Sequence, residues 1–126
     1  MGYTLGNKSK RLLEGVHPDL VAVVERAIQI TEQDFSVGEG LRSLSRQKQL
    51  VATGKSKTMN SRHLTGHAVD LFPYPLSWEW TYFYPIADAM KEAARELDVD
   101  LEWGGSWKTF PDGPHFQLSW RSYPNG

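Results

Sequence analysis

Apolar residues recur at three- and four-residue spacing in two stretches of the chain. In residues 17–31, Pro18 suits the first helical position and Asp19 the first turn, while Leu20, Val23, Val24, Ala27 and Ile28 fall on one face. In residues 86–100, Ile86, Ala89, Met90, Ala93 and Leu97 form a second stripe. A weaker helical pattern covers residues 42–54, with a serine cap candidate, Leu44, Leu50 and Val51 as expected buried positions, and Gly54 as a stop. Residues 34–40, 67–72, 99–103 and 115–120 read as strands. The aromatic stretch 73–85, bounded by prolines, is expected to be a loop packed by its own rings. This order predicts an α+β fold in one domain spanning residues 1–126, with helices packed against a mainly antiparallel sheet.

Composition narrows the chemistry. A chain of 126 residues can bury one core without staples. Cysteine is absent, so a bound metal must be held by histidine and carboxylate. No apolar run has the length of a membrane span, and residues 1–15 lack the apolar centre of a signal peptide, so a cytoplasmic protein without membrane insertion is expected. The net charge of −1 hides a basic segment: Arg42, Arg46, Lys48, Lys55, Lys57 and Arg62 fall between Leu41 and Val69 with no acid among them. Such a segment is most simply a solvated face, and it can also draw in an anionic partner.

Two histidines and an aspartate stand within eight positions in "SRHLTGHAVDLFP", residues 61–73. On a helix, His63, His67 and Asp70 would share a face. Gly66 in the middle, the strand-favouring Val69, Leu71 and Phe72, and the closing Pro73 argue for a strand instead. Side chains then alternate, so His67 points away from Asp70, while His63 folds back toward Asp70 across the Thr65–Gly66 turn. A third ligand is needed. His17 at a helix start reads as a surface or capping residue, which leaves His115. Two imidazoles and a carboxylate with one open position suit catalytic zinc, which lowers the pKa of water from about 15.7 toward ~7. Spacing alone leaves a second reading open, in which these histidines only satisfy hydrogen bonds.

The motifs add a family. "SRHLTGHAVDL", "WGGSWKTFPDGPHFQL" and "EGLRSLSRQ" resemble, in the same order, three motifs of the D-alanyl-D-alanine carboxypeptidase family of zinc peptidases. The similarity is greatest to the short bacteriophage endolysins that are L-alanyl-D-glutamate peptidases of peptidoglycan. The resemblance implies Zn²⁺ held by His63, Asp70 and His115, with Asp112 as acid/base and Arg42 as the residue that binds substrate or oxyanion. Ser61 is placed beside them as a hydrogen bonder, and Trp103 and Trp107, flanking two glycines, are expected to wall the substrate cleft. Gln117 stands where some members carry glutamate, which leaves Asp112 as the nearest carboxylate able to move a proton. The loop before His115 is short, so no regulatory calcium is expected.

The reading that follows is a zinc endopeptidase, acting as a monomer on the stem peptide of bacterial peptidoglycan and released to the wall through a separate pore-forming protein. A D-alanyl-D-alanine carboxypeptidase or dipeptidase, and a non-catalytic zinc-binding module, are the alternatives. A nucleic-acid binder would show steep salt dependence and have no use for a buried metal, so no nucleic-acid partner is expected. Arg46, Lys48, Lys55 and Lys57 are assigned long-range attraction to anionic wall polymer.

Overall fold

Period-two alternation sets the sheet of this computed structural model, which describes residues 2–56 and 58–124. Strands β1 (Phe35–Glu39), β2 (Ala68–Pro73), β3 (Leu101–Trp103) and β4 (His115–Leu118) pair antiparallel in the order β1-β2-β4-β3. Cross-strand partners share a face, so Val37 and Leu71 pair on one side, with Val69, Phe116 and Trp103 beside them. That side is the core. Asp70, His115, Glu102 and Gln117 occupy the other.

The core face is covered by α2 (Pro18–Ile30) and α4 (Phe83–Leu97). Helix α2 buries the five residues of its apolar stripe, and His17 caps it, its Nδ1 accepting from the Asp19 N–H at 3.1 Å. A short helix, α1 (Asn7–Leu12), precedes it and places the Ser9 hydroxyl 2.9 Å from the Val37 N–H. Helix α3 (Leu44–Ala52) starts at Ser43, whose Oγ accepts from the Arg46 N–H, and stops before Gly54 at φ 77°.

Three sequence expectations change. In α3 the buried residue is Gln47, and Leu44 is 53 % exposed, with Leu50 and Val51 half-buried: this helix lies beside the cleft and not on the core. In α4 the stripe ends at Ala94, and Leu97 is exposed because the chain turns away at Asp98, which adopts a left-handed conformation. The aromatic stretch is only partly a loop. Trp80–Tyr82 forms a 3₁₀ turn and Phe83 begins α4, Pro85 being tolerated in a first turn whose N–H groups have no helical partner. Its rings touch one another, yet Tyr74, Trp78, Trp80, Tyr82 and Tyr84 stay exposed. Among the described residues no helix is long and apolar enough to cross a membrane.

Gly66 joins the site to the rest of the fold. It ends the 3₁₀ turn Arg62–Thr65 at φ 75°, and a Cβ there would lie 2.4 Å from the Gly15 carbonyl oxygen. Gly66→Ala is therefore expected to cost about 2 kcal/mol or more, read as a lower urea midpoint at unchanged m-value.

Candidate metal centre and cleft

The β2–β4 register sets Asp70 directly opposite His115. His63 reaches the same point from the 3₁₀ turn, which Ser61 caps by accepting from the His63 N–H at 3.2 Å. Asp70 Oδ1 lies 3.2 Å from His63 Nε2 and 3.3 Å from His115 Nδ1. The three donor atoms fall within 4.8 Å of one another, the spacing that a single cation can bridge. His63 is 2 % and His115 7 % exposed, so the donors face one another with little water between them.

Neighbouring groups fix the tautomers. Gly40 O sits 2.8 Å from His63 Nδ1, and a carbonyl only accepts, so Nδ1 carries the proton and Nε2 offers its lone pair. On the other ring, Gln117 donates its amide to Glu102 Oε1 at 3.0 Å, which turns its Oε1 toward His115 Nε2 at 2.8 Å. The neutral His115 ring therefore donates from Nε2 and leaves Nδ1 bare. Gln117 orients the His115 imidazole, a use that its sequence position alone did not suggest.

His67 stands on the far side of the strand. Its Nδ1 lies 2.7 Å from the Thr65 hydroxyl, and its ring is 5.5 Å from that of His17.

Asp112 is positioned by its backbone. Its N–H donates to Gly104 O at 2.9 Å, and its carbonyl accepts from the His115 N–H at 3.2 Å. A Cβ on Gly104 would lie 2.6 Å from Asp112 O, and one on Gly105 would lie 2.2 Å from the Trp103 ring. The two glycines thus make room for Asp112 and for Trp103. Burial, and after it the Asp70 carboxylate, push the Asp112 carboxyl above its ordinary 3.8, against the pull of His115, His63 and Arg42.

Arg42 follows β1. One of its terminal nitrogens pairs with Glu39, and the other donates to Gln47 Oε1 at 2.7 Å and to the Ser61 hydroxyl at 3.4 Å. Glu39 was not among the sequence candidates. A bulge at Gly38 shifts the β1 register so that Glu39, and not Gly38, sits opposite Asp70. A Cβ on Gly38 would meet the Phe72 ring at 2.3 Å, so the bulge needs glycine. Glycine inside a strand pattern was the available signal.

A cleft of about 620 Å³ lies over these groups, with Arg42, Ser61, Asp112 and Trp107 on its walls. The Trp107 ring centroid is 5.1 Å from that of His115. Trp103 corrects the sequence reading. Paired with Phe116, it faces the core at 8 % exposure, stacks on that ring and donates Nε1–H to Gly113 O at 2.7 Å. Trp78 takes a place on the wall instead, edge-on to Phe72.

The basic segment divides. Arg62 is buried, donating to Leu118 O at 2.8 Å and Tyr123 O at 2.7 Å beneath the Trp120 ring. Arg46 and Lys55 line the cleft, Lys48 is exposed elsewhere, and Lys57 lies outside the described residues.

Comparison with known proteins supplies the deciding observation. A family model described as phage L-alanyl-D-glutamate peptidase matches residues 1–118. The chain belongs to this family. It is similar to the L-alanyl-D-glutamate peptidase of Escherichia phage T5, 29 % identical over all of this chain and 96 % of that protein. The namesake from Listeria phage A118 is 34 % identical over 68 % of this chain and 30 % of its own length. Among solved structures, the Serratia marcescens L-Ala D-Glu endopeptidase ChiX matches with a TM-score of 0.92 and 52 % identity, covering 99 % of this chain and 95 % of that one. A carboxypeptidase kinship does not appear in these matches.

The charges around Asp70 can be read in solution. Burial opposes ionisation of Asp70, and hydrogen bonds and charge from His115 and His63, when those rings carry a second proton, outweigh it and hold the carboxyl well below the usual carboxylate range. Burial likewise opposes charge on His115, and Asp70, Gln117 and Asp112 outweigh it, raising the imidazole above 6.5. His67 moves down from 6.5 through burial and then through Arg62 and His17. In metal-free protein, NMR titration should place the His115 midpoint above 6.5 and that of His67 below it. Charge on His115 then adds stability that is whole below pH 6.5 and is lost as the pH rises through the raised folded value. Inverted midpoints would contradict this geometry.

Proposed function

We propose that this chain is a zinc-dependent endopeptidase that hydrolyses the L-alanyl–D-glutamate bond of the peptidoglycan stem peptide and so lyses bacterial cell walls. The observation that carries this reading is the set His63 Nε2, Asp70 Oδ1 and His115 Nδ1, three bare donors held within 4.8 Å by a chain that matches the peptidase family almost end to end. The donor set fits zinc: two neutral imidazoles and one carboxylate, both imidazoles locked by hydrogen bonds behind them. Bound there, zinc supplies Lewis acidity, acidifying water and polarising a carbonyl.

The chain's own groups do the rest. Asp112, on the cleft wall in the loop before His115, accepts the proton of the attacking water and passes it to the leaving amine. Arg42, gripped by Glu39, Gln47 and Ser61, holds a fixed positive charge on the wall, where a substrate carboxylate or the developing oxyanion is stabilised. Trp107 covers one side of the His115 ring and narrows access for water. The walls run past the triad in both directions, from Phe72 and Trp78 to Lys55 and Trp120, which favours a substrate that continues beyond the cleaved bond over a carboxypeptidase substrate. A silent metal-binding module has no use for Asp112 or Arg42 on that wall. The substrate places the enzyme at the cell wall, reached through a separate pore-forming protein.

Digestion of purified peptidoglycan tests the reading. Mass spectrometry should show new L-alanine carboxyls and D-glutamate amines, and released D-alanine would overturn it. Asp112→Asn keeps the turn and the three donors, so it should retain fold and metal while losing about 10²–10⁴-fold in rate. A variant keeping more than about a tenth of the rate would mean that another group moves the proton.

A further inference from the structure

The cleft is chemically different at its two ends, and the sheet register says which end is which. Asp70 and His115 mark the middle. Along β2 in one direction comes Phe72, with Trp78 edge-on to it at 5.2 Å and Pro114 beside it on the wall. In the other direction come Ala68 and Gln117, then the Ser61 region, to which α3 is tied through Gln47: its amide donates to Thr58 O at 2.5 Å and accepts from Arg42, which reaches Ser61. Arg46 and Lys55 line the wall on that α3 side.

The charges of the wall do not cancel evenly. Its carboxylates are Glu39, paired with Arg42; Asp70, between two histidines; and Asp112, in the loop before His115. Arg46 and Lys55 form no ion pair among the described residues, and the one side-chain hydrogen bond of Arg46 described is to the neutral Gln49 at 3.1 Å. The α3 end is therefore cationic and uncompensated, and the Phe72–Trp78 end is aromatic, with the Asp112 carboxyl as its charged group.

The substrate of the proposed reaction is divided in the same way. An alanyl residue offers a methyl group. A glutamate acylated on its amine and extended through one carboxyl keeps the other carboxyl as an anion, a few bonds from the scissile nitrogen. We propose that the substrate lies in one direction, the alanyl side toward Phe72 and Trp78 and the glutamyl side toward α3, with Arg46 and Lys55 reading the free glutamyl carboxylate. These two side chains are then specificity determinants of the leaving side. This rests on the peptidase reading above.

The test uses two soluble stem-peptide analogues, one with the free glutamyl carboxylate and one with that carboxylate as its primary amide. Wild-type protein should cleave the acid with a kcat/KM about three- to tenfold above the amide, as exposed charge pairs allow. The preference should shrink as the Debye length falls from ~10 Å at 0.1 M to ~3 Å at 1 M salt. In Arg46→Ala/Lys55→Ala the ratio should approach one, mainly through KM for the acid. The charge-matched control Lys8→Ala/Lys10→Ala, on α1 and away from the cleft wall, should keep the wild-type ratio. Equal cleavage of acid and amide by wild type, or an unchanged ratio in the α3 double variant, overturns the inference and leaves the peptidase reading standing. Cleavage of neither peptide by wild type contradicts both.

Discussion

One carboxylate oxygen, Asp70 Oδ1, organises the site. It lies 3.2 Å and 3.3 Å from imidazole nitrogens on two different segments, and both pairs are largely removed from water. Burying a carboxylate costs several kcal/mol unless charge is returned to it, and in the metal-free protein only a protonated imidazole beside it can do so. A divalent ion held by His63, Asp70 and His115 would return more, since each of the three groups would offer it a lone pair. Metal binding there would be linked to folding: whatever pulls His63 or His115 away from Asp70 leaves a buried group without its counter-charge.

Backbone devices place the groups at and around that oxygen. An antiparallel register brings His115, and a capped 3₁₀ turn closed by left-handed Gly66 brings His63. A bulge at Gly38 turns Glu39 toward Arg42, and a Gly104 anchor holds the Asp112 turn. His63, Asp70 and His115 are short side chains on such supports, so these donors are set before a ligand arrives. That is the preorganisation on which electrostatic catalysis depends.

The triad was legible in the sequence because strand parity is a strict rule: within residues 67–72, Asp70 and His67 must part. The helices α2 and α4 were legible for a similar reason, since a stripe of five apolar residues has few other uses. The same parity applied to residues 101–103 would have put Trp103 on the core face with Phe116, and a tryptophan beside two glycines drew attention to the cleft instead. Glu39 was hidden by the bulge, which breaks the alternation that would have sent it inward. Helix α3 misled because its apolar residues are too few to form a face, and its buried position is a glutamine that ties Arg42 to the loop before Ser61.

Anomalous diffraction at the zinc edge, on crystals of the zinc-loaded protein, tests the central claim most directly. The account predicts one strong peak about 2.0–2.2 Å from His63 Nε2, His115 Nδ1 and an Asp70 oxygen, with one imidazole bound through Nε2 and the other through Nδ1. A peak that includes His67, or that binds His63 through the nitrogen facing Gly40, would contradict it.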